Sequence, residues 1–326
     1  MLLEIVDLGG QPILEVLEQY LLSCRAEAKS PKTIRWYRQK LTFFAACLGT
    51  DAEDVANITR GQVRRFLTHL QYDVKAGQNN PRKPERGEGL SGHTVHGYAR
   101  ALRAFFSWAE RESIIECSPM RGMKMPKLPT LIMPSFSKEE VRALLDPDTY
   151  QGEMKVRNHT MMVLLLDTGI RVSELVGLKV GDVHFRSGYF VVRGKGNKQR
   201  RVPMGRICQA LLNRYVCRQR PEPATPTVAN LFLTQHGRPI TQDWVYKIVA
   251  RTCRGLGIRG KRLGPHTCRH TFAKLFLMNG GDLLTLQRIL GHSSLEVVRA
   301  NVDLNTEDLL VQQRRFSPVD CLEAAS

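Results

Sequence analysis

Between Cys117 and Pro134 four prolines, Pro119, Pro126, Pro129 and Pro134, are interspersed with Arg121, Lys124 and Lys127. Proline fixes φ, lacks an N–H and pushes the preceding residue out of the α region. Neither a continuous helix nor a central strand can run through such a stretch. A chain of 326 residues interrupted in this way folds as two bodies joined by a stiff, basic connection. The expected division is a first domain over 1–116, a linker over 117–135 and a second domain over 136–326.

The first domain reads as short amphipathic helices. Leu14, Val16, Leu17, Tyr20 and Leu21 recur at helical spacing. Ser30-Pro31 is a helix start, a capping serine before a proline suited to the first turn. The helix that follows carries Ile34, Tyr37, Leu41 and Phe44 on one side, with Arg35, Arg38 and Lys40 around the remainder. A third helix is expected near 60–70, then an exposed Gly/Asn/Pro-rich loop over 75–89. Ser91 opens a fourth helix with Val95, Tyr98, Leu102, Phe105, Phe106 and Ala109 at three- and four-residue steps.

The second domain starts at Ser137 and Glu140, a capping-box pair. It is expected to be mainly α with one β signal. Tyr189–Arg193 and Arg200–Met204 flank Gly194-Lys-Gly-Asn-Lys-Gln, two short strands around a glycine-rich turn. Helices are expected near 205–218, 242–256, 265–278 and 282–290. The fold class is thus mainly α with a small β-hairpin.

Lys and Arg number 48 against 31 Asp and Glu, a net charge of +17. Such an excess fits a polyanion, most simply nucleic acid, although an unspecific basic surface has the same composition. Candidate phosphate contacts are Lys32, Arg35, Arg100 and Arg103 on the helices, Lys124 and Lys127 in the linker, and Lys198 in the hairpin turn. The eight cysteines form no Cys-x-x-Cys pair, so neither a zinc ribbon nor a redox motif is signalled. The N-terminus lacks a basic start and an apolar run, and the strongest apolar stretch, Met161–Leu166, is too short to span a bilayer. A reduced, cytoplasmic, nucleoid-associated protein with no membrane partner is expected.

Four elements of the second domain can converge on one phosphate. In Thr168-Gly-Ile-Arg-Val-Ser-Glu-Leu, Gly169 ends a helix and Arg171 opens the next, a favourable place for an anion; pairing with Glu174 at i,i+3 is the alternative. In Pro265-His-Thr-Cys-Arg-His-Thr-Phe-Ala, His266 and Arg269 share a helix face, with Phe272, Leu275 and Phe276 as its buried side. A metal set of His266, Cys268 and His270 is disfavoured, because residues two apart on a helix diverge. In Leu290-Gly-His-Ser-Ser, Gly291 stops a helix and His292 follows it. Lys195 sits at the hairpin tip.

These four motifs, in this order, resemble the catalytic domain of the tyrosine recombinases, most closely the Xer-like and transposon-integrase branch. The likeness spans about 137–310; residues 1–116 resemble the family's helical core-binding, SAM-like domain more loosely. The resemblance implies that Arg171 and Arg269 clamp the scissile phosphate, that Lys195 is the general acid toward the 5′ oxygen, that His266 assists proton transfer and that His292 bonds the phosphate. Glu174 matches an acidic supporting position. No metal or other cofactor is implied, because arginines supply the charge. The implied partners are double-stranded DNA with inverted-repeat core sites and a homotetramer on two duplexes. The tail with Leu304, Leu309, Leu310, Val311 and Phe316 would be exchanged between protomers or pack on its own domain.

One position breaks the pattern. The family's nucleophilic tyrosine lies nine residues after the histidine of Leu-Gly-His, where this chain has Asn301, and no tyrosine follows Tyr246. An asparagine amide is not a useful nucleophile toward phosphodiesters. The expectation is a recombinase scaffold deficient in cleavage, whether by engineering, by natural loss or with a tyrosine supplied by another subunit. The alternative is a DNA-binding regulator or architectural protein that does not cut.

Overall fold

The computed structural model describes residues 11–49, 54–74, 89–128, 134–194, 199–259 and 263–291. The chain divides into two compact units, Met1–Leu131 and Ile132–Ser326.

Among the described residues the first unit has four α-helices: α1 (Ile13–Ala26), α2 (Pro31–Leu48), α3 (Arg60–Tyr72) and α4 (Gly92–Arg111). Local chemistry sets their starts. The Ser30 hydroxyl accepts the Thr33 N–H, and Pro31 occupies the first turn of α2. Thr59 and Gln62 form a reciprocal capping box at α3, the Thr59 N–H donating to Gln62 Oε1 at 2.8 Å. The core joins Val16, Leu17, Tyr20 and Leu21 of α1 to Phe44 of α2, Phe66 of α3 and Phe105 and Phe106 of α4. Phe44 and Phe66 meet edge to face at 4.9 Å, an arrangement worth about 0.5–1.5 kcal/mol beyond area burial. On α1 the buried stripe includes Ile13, whereas Leu14, expected inside, is 54% exposed.

The proline-containing segment is not free along its whole length. Met120 and Met123 are buried in the first unit's core. The Arg60 guanidinium donates to the Arg121 carbonyl and that of Arg103 to the Met123 carbonyl, each at 2.5 Å. Thioethers and backbone carbonyls, not the prolines, tie residues 118–125 down.

The second unit contains α5 (Lys138–Leu145), α6 (Lys155–Thr168), α7 (Val172–Gly177), β1 (Val183–His184), β2 (Tyr189–Arg193), β3 (Gln199–Pro203), α8 (Arg206–Arg218), α9 (Gln242–Gly255), α10 (Pro265–Met278) and α11 (Leu283–Leu290). The mainly helical class with a small sheet stands as expected. The hairpin gains a third strand: β1 pairs with β2 and β2 with β3, all antiparallel. Two residues are too few to leave an alternating pattern, so β1 carries no sequence signal. Phe190 and Val192 of β2 and Val202 of β3 face the core.

Residues 159–166 of α6 are all buried, which makes it the central helix of this unit. α10 packs on it, with Cys268 Sγ 4.0 Å from Met162 Sδ. The expected buried side of α10 stands at Phe272, which is 8% exposed, and extends further toward the helix start than expected. Residues 267–273 are all buried, whereas Leu275 and Phe276 are only half-buried. No described helix is long and apolar enough to cross a membrane.

Candidate functional site

Gly169 caps α6 in the left-handed conformation, φ 60°. A Cβ there would run into the Phe272 ring and Leu290, so only glycine lets α6, α10 and α11 approach this closely. The turn delivers Arg171 to the N-cap of α7, where its backbone N–H donates to Glu174 Oε2 at 2.9 Å.

The Arg171 side chain donates from Nη1 to Glu174 Oε1 at 3.0 Å and, more weakly, to the Leu290 carbonyl at 3.4 Å. Arg269 reaches the same carbonyl from α10: Nη2 donates to Leu290 O at 2.8 Å and Nη1 to Gly169 O at 2.6 Å. Two guanidiniums from separate helices thus converge on the last turn of α11. Arg269 is 5% exposed, and Arg171 keeps 37% of its side chain in solvent. Burial, with Arg171 beside it, pushes the Arg269 pKa down to about 9, still high enough to keep the charge at neutral pH.

His266 lies one turn before Arg269 on α10 and is exposed. Partial burial, Arg269 and Arg171 lower its pKa, which favours a neutral imidazole able to accept or pass a proton. The Tyr246 ring of α9 stands 6.3 Å from the His266 ring. A Cβ on Gly264 would lie 3.0 Å from Tyr246 ring carbons, so this glycine lets the start of α10 pass the tyrosine.

Sequence reasoning missed a third guanidinium. Arg200 of β3 forms a two-pronged pair with Glu174, Nη1 to Oε1 at 2.7 Å and Nη2 to Oε2 at 2.8 Å. Its Nε donates to the Ile289 carbonyl at 2.8 Å. A signal was present: Arg200 shares the inward phase of β3 with Val202, an unusual place for a charge. The site therefore gathers three cations around one carboxylate. Burial alone would raise the Glu174 pKa, but the bonds from Arg200 and the Arg171 N–H outweigh it and hold it below the ordinary carboxylate value.

Lys195, Lys198, His292 and Asn301, and the whole tail beyond, lie outside the described residues. Gly194, the residue after β2, is the last described before Lys195, and Gly291, against Arg200, is the last before His292. In the first unit Lys32, Arg35, Arg100, Lys124 and Lys127 are exposed, while Arg103 is half-buried and engaged with Met123. Among the described residues no group of three or more His, Cys, Asp or Glu side chains could hold a metal ion.

A helical unit followed by an arginine-centred mainly helical unit defines a class, and the comparisons agree with it. Residues 134–307 match the phage integrase family and residues 17–77 the phage integrase N-terminal SAM-like domain. The chain belongs to the phage integrase family, the tyrosine recombinases. It is 30% identical over 269 residues to tyrosine recombinase XerD of Listeria monocytogenes serotype 4b, covering 78% of this chain and 90% of that protein. It is 31% identical over 270 residues to tyrosine recombinase XerC of Oceanobacillus iheyensis, covering 82% and 83%. Among solved structures, the XerH site-specific recombinase bound to a palindromic difH substrate aligns with a TM-score of 0.67 at 24% identity, over 95% of this chain and 83% of that one. The Tn1549 transposon integrase in complex with a circular intermediate DNA aligns with a TM-score of 0.69 at 18% identity, over 94% and 100%. At these identities the structural likenesses speak for the fold.

Proposed function

We propose that this chain is a site-specific DNA recombinase whose catalytic clamp is built but whose nucleophile is absent. The observation that carries the reading is the convergence of Arg171 and Arg269 on the Leu290 carbonyl at 3.4 and 2.8 Å. Two guanidiniums held in register by one acceptor suit a tetrahedral phosphate, whose developing charge they would stabilise. In this reading neutral His266 assists proton transfer, Lys195 protonates the 5′ leaving oxygen and His292 bonds the phosphate. Asn301 occupies the place of the tyrosine that would form a 3′-phosphotyrosyl link.

Lys32, Arg35, Arg100, Arg103, Lys124, Lys127 and Lys198 would contact the backbone of inverted-repeat duplex DNA, with four protomers on two duplexes. Tail exchange would join the protomers. Its support is an apolar cavity of about 850 Å³ in the second unit, walled by Val141, Leu145, Ile207, Leu211 and Phe276. Ile207 is 76% exposed there, and Leu304, Leu309, Leu310, Val311 and Phe316 of a neighbour's tail would cover it. A cytoplasmic location on the nucleoid follows from the DNA partner. Affinity for duplex DNA is expected to fall steeply with salt, by about 10³–10⁵-fold from roughly 50 to 200 mM if some 6–10 phosphates are contacted. A flat response in a filter-binding titration contradicts a DNA partner.

Asn301 favours a second reading, a non-cutting DNA-binding regulator. The deciding experiment incubates the chain and its Asn301→Tyr variant with nicked suicide DNA taken from the flanks of its own gene, and resolves covalent adducts on a denaturing gel. Adduct with the variant alone establishes a recombinase site lacking its nucleophile. Binding without adduct in either supports the regulator, and adduct with the chain as it stands refutes the assignment of position 301.

A further inference from the structure

Arg200 and Arg171 compete for one carboxylate, and the structure gives them unequal shares. Arg200 takes both Glu174 oxygens at 2.7 and 2.8 Å, and its Nε is committed to Ile289 O. Arg171 takes one oxygen with its side chain at 3.0 Å and the other with its backbone N–H at 2.9 Å. Four donors fill the roughly four lone-pair sites of a carboxylate. Exposure follows the same division: 2% of the Glu174 side chain is exposed, 15% of Arg200 and 37% of Arg171. The buried arginine neutralises the buried acid, and the exposed arginine presents itself to solvent.

We propose that Arg200 is a positioning residue: by occupying Glu174 in two-pronged fashion it keeps the Arg171 guanidinium from collapsing onto that carboxylate and leaves it available to a phosphate oxygen. A carboxylate this buried cannot stay unpaired. Without Arg200, the nearest cation able to pair with it through two bonds is Arg171, already at its edge. Pairing both forks would turn Arg171 away from the ligand side. The turn after α11 is shaped around the same side chain. Gly291 adopts φ 64°, and a Cβ there would lie 2.9 Å from Arg200 Cδ and Nε. Arg200 therefore ties the strand leaving the hairpin turn, the N-terminus of α7 and the end of α11 to one another. The inference deepens the reading of the site as a phosphate clamp and rests on it.

The test follows Arg171 itself. Inorganic phosphate is titrated into the full chain carrying ¹⁵N-labelled arginine, and the side-chain Nε signal that disappears in Arg171→Ala is monitored. Arg200→Met is expected to weaken phosphate binding at Arg171 by about tenfold, the size of coupling seen between residues of one ion-pair network. Removing the competitor as well, in Arg200→Met/Glu174→Gln, is expected to restore binding to within about threefold of the unchanged chain. The titrations are run where circular dichroism shows each variant fully folded, because the double variant also relieves the stability loss of Arg200→Met. A merely structural Arg200 would leave the Arg171 Nε titration of the folded single variant unchanged. Arg200→Lys keeps the charge without the fork and should fall between; with the double variant it carries the comparison if Arg200→Met does not fold by circular dichroism. Phosphate binding unchanged in Arg200→Met, or a double variant as weak as the single one, overturns the proposal. The same substitutions are assayed for adduct formation in the Asn301→Tyr background. Absence of adduct throughout, with the phosphate pattern intact, would defeat the recombinase reading and leave the role of Arg200 standing.

Discussion

In a chain carrying Asn301→Tyr, Arg269→Ala is expected to slow single-turnover adduct formation by about 10²–10³-fold, equivalent to about 2.7–4 kcal/mol of transition-state stabilisation. The size follows from how this guanidinium is held. It is 5% exposed and fixed by the Gly169 and Leu290 carbonyls at 2.6 and 2.8 Å, so little reorganisation is needed as charge develops on a phosphate. It stays protonated, because burial and the neighbouring cations lower its pKa only to about 9. DNA affinity should change much less, since one phosphate contact is lost among several. The check is a time course on suicide DNA beside a binding titration and a thermal melt of each variant. Cleavage unchanged by Arg269→Ala would remove Arg269 from the site.

What the sequence made legible here is local. Proline and capping chemistry act over three or four residues, so the starts of α2, α5 and α10 could be read from Ser30-Pro31, Ser137 with Glu140, and Pro265. The Arg171–Glu174 pair was legible for the same reason, being three apart at a helix start. Contacts that join distant segments were not. Arg200 lies 26 positions from Glu174, and the carbonyls that hold Arg269 belong to residues 100 and 21 positions away. Backbone acceptors carry no residue signature, so no motif announces them. The buried side read for α10, Phe272, Leu275 and Phe276, was too narrow because α6 and its neighbours surround the first half of that helix. Met120 and Met123 escaped notice because prolines and lysines dominate their segment, although a thioether can fill a gap without any periodic pattern.

Glu174→Gln, nearly isosteric, is expected to destabilise the second unit by about 3–5 kcal/mol, the usual consequence of removing one partner of a buried ion pair. It strands Arg200, 15% exposed, opposite a neutral amide that can accept but not neutralise. Arg200→Met should cost less, because Arg171, already bonded to Glu174 through its N–H and Nη1, closes onto the acid that Arg200 leaves. The two together should cost far less than their sum, because replacing both partners leaves no uncompensated charge. Urea unfolding of the four proteins gives the cycle, and additive losses would mean that the pair is not energetically coupled. The pH dependence carries its own sign. Glu174 titrates below its unfolded value in the folded chain, so its contribution is complete above the ordinary glutamate pKa of about 4.3 and is lost as pH falls through the lower, folded value. The stability gap between the unchanged chain and Glu174→Gln should therefore be widest near neutral pH and close in acid. A gap that persists at the lowest pH where both proteins fold would show that Glu174 acts through shape and hydrogen bonding rather than through its charge.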